Sequence, residues 1–171
     1  MDIVELFTDG FGRVRDGVLG VTDGLGADAL NFRPDPAANS IAWLVWHLTR
    51  VQDDHLADLA GREQAWTAEG FSERFALPFP DRDIGYGHSS QDVAAVAVDG
   101  PGLLTDYHLA VAAHTPDDLT TAVAAGLDRV IDESWDPPVT AGVRLVSVLN
   151  DVTQHIGQAG YVRGLAERHG G

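Results

Sequence analysis

The chain has 171 residues, 44% of them hydrophobic, and 26 acidic against 11 basic residues give it a formal net charge of -15. That is enough apolar material to bury a core, and the negative field repels phosphate backbones and anionic lipid, so neither nucleic acid nor a membrane surface is an expected partner. Cysteine is absent, which excludes disulfides, cysteine-ligated zinc and cysteine nucleophiles, and any thiol chemistry must use sulfur brought by a substrate.

The opening residues Met1, Asp2, Ile3, Val4 and Glu5 lack the basic-then-apolar order of a signal peptide. No apolar run approaches the roughly 18 residues of a membrane span. A cytoplasmic protein is expected, read as one domain over residues 1–171.

Val4, Phe7, Phe11, Val14, Val18, Val21 and Leu25 step by three and four residues, a helical stripe. It survives Gly10, Gly12, Gly17 and Gly20, so packing rather than propensity must hold this first helix. Pro34 and Pro36 then break the pattern. Ser40 is a good N-cap for a second helix in which Ile41, Leu44, Leu48, Val51, His55 and Leu59 share a stripe, with His47 on it. Residues 61–100 hold Trp66, Phe71, Phe75, Phe79 and Tyr86 among prolines and glycines, with a short helix near Gln91 to Val98 after Ser90. A connection of this length reads as an aromatic plug on the core or, more sharply, as a lid over a ligand pocket.

A third helix fits Leu103 to about Val123, with Leu104, His108, Val111 and Leu119 on one side and Pro116 a candidate kink. Leu127, Val130 and Ile131 form a short turn-like piece before the last helix, about Gly142 to Arg168, whose stripe is Leu145, Val148, Val152, Ala159 and Val162. Four long helices, one long crossover and no convincing strand predict an all-α four-helix bundle.

The chemistry concentrates on three residues. Asp151 and His155 are four apart, which stacks them on one face of the last helix, and His47 lies on the inward stripe of the second. Two histidines and one carboxylate recur in zinc and non-haem iron sites with open positions. The residues alone leave a second reading, a general acid/base pair without metal. Asp151 facing outward, or paired with Arg144 or Arg163, is the bland alternative. His55, eight residues after His47, and Gln158, one turn after His155, are candidates to extend or support the site. Tyr107 and His108 are candidate catalytic bases, with an aromatic core layer as their plainer role. Arg163, eight residues after His155, is a candidate for binding an anionic substrate together with Gln158. His88 reads as an exposed loop residue, with a lid position as the alternative, and nothing marks His114 or His169 for function.

The segments Asn39 to His47, Trp135 to Thr140 and Val143 to Gly164 resemble the DinB-like superfamily of small bacterial metal-binding bundles, especially its actinobacterial mycothiol S-transferase branch. The resemblance spans nearly the whole length. It implies a divalent metal, zinc first and nickel, iron or manganese as alternatives, held by one histidine of the second helix and two residues of the fourth. By position these are His47, Asp151 and His155. The commonest family pattern there is His-x-x-x-His, and this chain departs from it at Asp151; an acidic residue fills that place in the mycothiol-dependent maleylpyruvate isomerase relatives. Those relatives carry a further C-terminal domain, and this chain ends at Gly171, so isomerase activity is not expected. The implied function is a thiol S-transferase acting on a low-molecular-weight thiol and a small electrophile, as a homodimer. A metal-dependent hydrolase, or a non-catalytic protein whose site is closed by His55 or Gln158, is the alternative.

Overall fold

The computed structural model describes residues 1–169. In chain order the elements are α1 (Ile3–Thr22), α2 (Ala27–Asn31), α3 (Ile41–Ala60), α4 (Ala65–Ala68), α5 (Phe71–Phe75), α6 (Ser90–Ala95), α7 (Gly102–Ala124), β1 (Val130–Asp132), β2 (Val139–Thr140) and α8 (Ala141–His169). The four long helices α1, α3, α7 and α8 form a bundle in which α3 packs on α7 and α8, and α1 packs on the same two. Helices α1 and α3 therefore occupy opposite corners.

Local sequence explains where these helices begin. Asp2 and Glu5 form a capping box at the start of α1, with Asp2 Oδ1 accepting from Glu5 N at 2.9 Å and Glu5 Oε2 accepting from Asp2 N at 2.8 Å. Ser40 caps α3 by accepting from Trp43 N at 3.1 Å. The glycines of α1 allow the bundle to close. A Cβ on Gly17 would lie 2.8 Å from Ile156 Cγ1, and one on Gly10 would lie 3.0 Å from Leu149 Cδ2. Both neighbours belong to α8, so the small residues trade helix propensity for a close approach of two helices.

Helix α3 is buried on every side from Ile41 to Asp53. A helix needs such all-round cover when apolar residues occupy most of its circumference. Helices α7 and α8 cover two sides, and residues 61–100 cover the rest. Trp66, Phe71 and Phe75 from that segment stack around Tyr107 of α7, with ring centroids 5.3, 4.8 and 6.0 Å away. The aromatic residues thus plug one end of the core. The segment holds three short helices instead of one, and α6 is capped by Ser89, not Ser90, because Ser89 forms the capping box with Asp92.

The expectation of no strand needs correction. Val130 pairs with Thr140 and Asp132 with Val139 in a small antiparallel sheet. Two strands of three and two residues are too short to show alternation in sequence. The pairing continues as Ala141 N donates to Arg129 O at 2.9 Å and Gly142 N to Leu127 O at 2.8 Å, which fixes the start of α8. That start sets the register of Asp151 and His155 against α3.

Candidate metal centre

His47 leaves the buried face of α3 toward α8, and its Nδ1–H donates to the carbonyl of Ile84. A carbonyl only accepts, so the proton is on Nδ1 and the Nε2 lone pair faces Asp151 Oδ1 at 4.0 Å. One helical turn apart on α8, Asp151 Oδ2 and His155 Nε2 lie 3.6 Å from each other. His155 Nδ1 bonds Gln158 Oε1 at 2.9 Å, which again turns Nε2 inward. One donor atom from each of the three residues lies within 4.8 Å of the other two.

These separations are too long for good hydrogen bonds. Asp151 Oδ1 is buried and has no hydrogen-bond partner, a state that costs about 1–3 kcal/mol or more for a charged group. A divalent ion held at about 2.1 Å by each ligand requires donor atoms roughly 3–4 Å apart. The donor set and the orphaned oxygen therefore fit a cation, and the bland alternative for Asp151 does not hold. Arg144 pairs instead with Asp132 at 3.3 Å, and Arg163 with Glu167 at 2.7 Å.

Burial holds the His47 pKa below its usual value, and the neighbouring His155 adds to this against the opposing Ile84 carbonyl and Asp151 charge. Its imidazole is thus kept neutral, the form that ligates metal. Burial also opposes charge on His155, but the adjacent Asp151 carboxylate and the hydrogen bond to Gln158 outweigh it and raise its pKa.

A cavity of about 730 Å³ reaches Asp151 and is lined among others by His55, Tyr86, Trp135, Arg144 and Asn150. Trp135 and Tyr86 are 65% and 62% exposed, and the Tyr86 ring meets the His47 ring edge-on at 5.5 Å. Partial desolvation of the hydroxyl, then the Asp151 charge, moves the Tyr86 pKa further above neutrality, and the hydroxyl is a proton donor at neutral pH as in any tyrosine. Sequence reasoning did not single out Tyr86 or Arg144 as cavity residues. A signal existed for Tyr86, since a ring flanked by Gly85 and Gly87 has no helical stripe to join.

His55 faces the cavity, but its Nδ1 accepts from Arg144 at 3.1 Å, and burial followed by the Arg144 charge lowers its pKa. It does not join the three-residue cluster. Gln158 supports the His155 ring and is exposed. Arg163 donates to Gly20 O and Glu167 Oε1, both at 2.7 Å. Tyr107 is buried, donating to Asp53 Oδ2 at 3.0 Å and accepting from Arg50 at 3.2 Å. His108 is buried beside Thr49 Oγ1 at 2.9 Å, and burial lowers its pKa to about 4. Neither Tyr107 nor His108 lines the cavity.

His88 corrects an expectation, because its side chain is only 6% exposed. It accepts from Trp43 Nε1 at 3.0 Å, donates to Asp83 Oδ1 at 3.1 Å, and packs on Trp46 and Phe79. Indole stacking partners drawn from α3 outweigh the loop's polarity.

A crystal structure of a conserved protein from Enterococcus faecalis superposes with a TM-score of 0.89 at 33% identity, over 97% of this chain and 98% of that one. No curated protein matches the chain. The Mycothiol-S-transferase family matches residues 7–167, nearly the whole bundle with all three candidate ligands inside it. The chain belongs to the mycothiol S-transferase family.

Proposed function

We propose that the chain is a divalent-metal-dependent transferase that joins the sulfur of mycothiol, or a closely similar low-molecular-weight thiol, to a small electrophile. The observation that carries this reading is the convergence of His47, Asp151 and His155 where a cavity of about 730 Å³ reaches Asp151, with a buried carboxylate oxygen left without a partner. Zinc is the metal assigned first to this set of two imidazoles and one carboxylate, a set that non-haem iron also uses. A bound divalent cation supplies Lewis acidity that lowers the pKa of the incoming thiol.

In the reaction the thiol loses its S–H proton and the sulfur forms a C–S bond with the electrophilic carbon. A leaving group departs with the bonding pair, or an unsaturated carbon takes up a proton. The chain's own residues position this chemistry. Ile84 and Gln158 fix the imidazoles of His47 and His155 with Nε2 directed inward. Tyr86, as a protonated phenol at the cavity, can donate to an oxygen on the electrophile or leaving group. Arg144 and Asn150 add polar groups for orientation. The absence of cysteine is consistent with sulfur arriving on the cosubstrate.

Neither His55 nor Gln158 completes a fourth ligand, since Arg144 and His155 already engage them. That favours an open site over a closed storage site. A homodimer is the assembly the family resemblance implies, and dependence on a reduced thiol pool suits the cytoplasm.

The test is turnover of a fluorogenic alkylating electrophile by zinc-loaded protein with and without mycothiol. The expected result is product formation that requires the thiol, is abolished by chelation and returns with zinc. Consumption of the electrophile at an equal rate without thiol would instead identify a hydrolase. No turnover with bound zinc and any small thiol would leave a binding protein.

A further inference from the structure

Trp43, Trp46, His47 and Arg50 share one face of α3, at spacings of three, four and seven residues. Together they hold residues 81–88 as a strap across the buried ligand. Arg50 is fully buried, and it donates from Nη2 to Asp81 O at 2.7 Å and from Nε to Asp83 O at 3.2 Å. Its Nη1 reaches Gln64 Oε1 at 2.7 Å and Tyr107 Oη at 3.2 Å, and the guanidinium lies 4.7 Å over the Trp66 ring. Every direct acceptor is uncharged. A buried guanidinium without a direct carboxylate is a costly way to fill space, and an apolar side chain of similar volume would do that more cheaply.

What the charge does hold is backbone. The next carbonyl after Asp83 is that of Ile84, which accepts the His47 Nδ1–H. Asp83 also returns its side chain to the strap, accepting from Gly85 N at 2.8 Å and from His88 Nε2 at 3.1 Å. His88 is in turn tied to α3 by Trp43 Nε1. The imidazole is thus gripped through one carbonyl, and that carbonyl is fixed on its N-terminal side by Arg50 and on its C-terminal side by the His88–Trp43 bond.

We propose that Arg50 is a positioning residue for the metal centre: by fixing the Asp81 and Asp83 carbonyls it holds the Ile84 carbonyl against His47 and so aims the ligating Nε2. The inference rests on the reading that His47, Asp151 and His155 hold a metal. It makes the strap a fixed wall of the site.

The experiment measures zinc affinity by chelator competition, and the visible spectrum of the cobalt-loaded protein, for wild type, Arg50→Lys, Arg50→Gln and Trp43→Phe. Arg62→Gln serves as the control, because Arg62 bonds Asp118 and Asp53 in the buried network and makes no bond to residues 81–88. Loss of an outer partner of a ligating histidine costs roughly 10–100-fold in metal affinity. Arg50→Gln is expected in that range, Arg50→Lys nearer its lower end, and Trp43→Phe at a few-fold, each with shifted cobalt bands. Arg62→Gln is expected to lower the melting temperature with zinc affinity and cobalt spectrum unchanged. Wild-type affinity and spectrum in the folded Arg50 variants would overturn the role of Arg50. If both Arg50 variants fail to fold, a wild-type spectrum in Trp43→Phe would overturn the strap as the device that aims His47. Failure of wild-type protein itself to bind zinc or cobalt would sink the metal reading, a distinguishable outcome.

Discussion

Gly85 lies so close to His47 that a Cβ on it would come within 2.6 Å of His47 Nδ1. The same residue has φ +100, a backbone region that L side chains rarely adopt. Gly85→Ala therefore meets two separate penalties, a backbone one of about 1–2 kcal/mol and a steric one against the His47 ring. Gly87 has φ +72, but a Cβ added there would meet nothing within 4 Å, so Gly87→Ala isolates the backbone penalty. Denaturant titration is expected to show Gly85→Ala the less stable of the two by about 1 kcal/mol or more, with weakened zinc binding only at Gly85. Equal stabilities and equal zinc affinities would mean the strap yields without disturbing His47.

Asp151 gives a prediction with opposite signs for stability and binding. Its Oδ1 is buried without a hydrogen-bond partner, so a charge left there without a cation is a burden. Asp151→Asn keeps the shape and removes the charge. In the presence of a chelator its melting temperature is expected to equal or exceed that of wild type. Zinc at about 100 times Kd stabilises a protein by about 2.7 kcal/mol; this gain is expected in wild type and absent in Asp151→Asn. A variant that melts well below wild type in chelator would show the carboxylate to be a structural partner of the two histidines.

The parts of this site that were legible in sequence are those written in side-chain periodicity. His47 falls on the α3 stripe between Leu44 and Val51, and Asp151 and His155 interrupt the α8 stripe at one-turn spacing. The long helices were legible for the same reason, even α1, whose glycines look like faults until Leu149 and Ile156 are seen against them. The strap was not legible, because its grip on His47 runs through the carbonyls of Asp81, Asp83 and Ile84, and backbone acceptors leave no residue pattern. Helices α2, α4 and α5 span four or five residues, little more than one turn, so no period accumulates. His88 misled for a related reason: its partners Trp43 and Trp46 are more than 40 residues away along the chain.

Tyr86 separates binding of metal from handling of substrate. Its hydroxyl is protonated at neutral pH, with partial desolvation and the Asp151 charge moving its pKa further up, and its ring lines the cavity without joining the three-residue cluster. Tyr86→Phe is expected to leave zinc affinity unchanged. Loss of one hydrogen bond made to a reacting oxygen lowers kcat/KM by about tenfold. Steady-state kinetics on zinc-loaded protein check this. Unchanged kcat/KM would remove the phenol from the reaction and leave its ring as cavity wall.

His108 supplies the pH dependence. Burial, with a smaller contribution from the Arg15 charge, holds its pKa at about 4 in the folded chain, against 6.5 for an unperturbed histidine. Between these values the unfolded chain carries a proton that the folded chain does not. The stability present above pH 6.5 is therefore lost as pH falls toward 4, by up to about 1.4 kcal/mol per pH unit from this residue. Its Nε2 is buried without a partner, so no acceptor waits to receive the added proton. His108→Leu removes the linkage while other titrating groups, His47 included, contribute to both proteins alike. The stability of wild type relative to His108→Leu is expected to fall steadily from pH 6.5 to 4.5 in chelator. Denaturant midpoints across that range are the measurement. A constant difference between the two proteins would mean that His108 is protonated in the folded state, and the α3–α7 interface would then have to open at Thr49 to accommodate the charge.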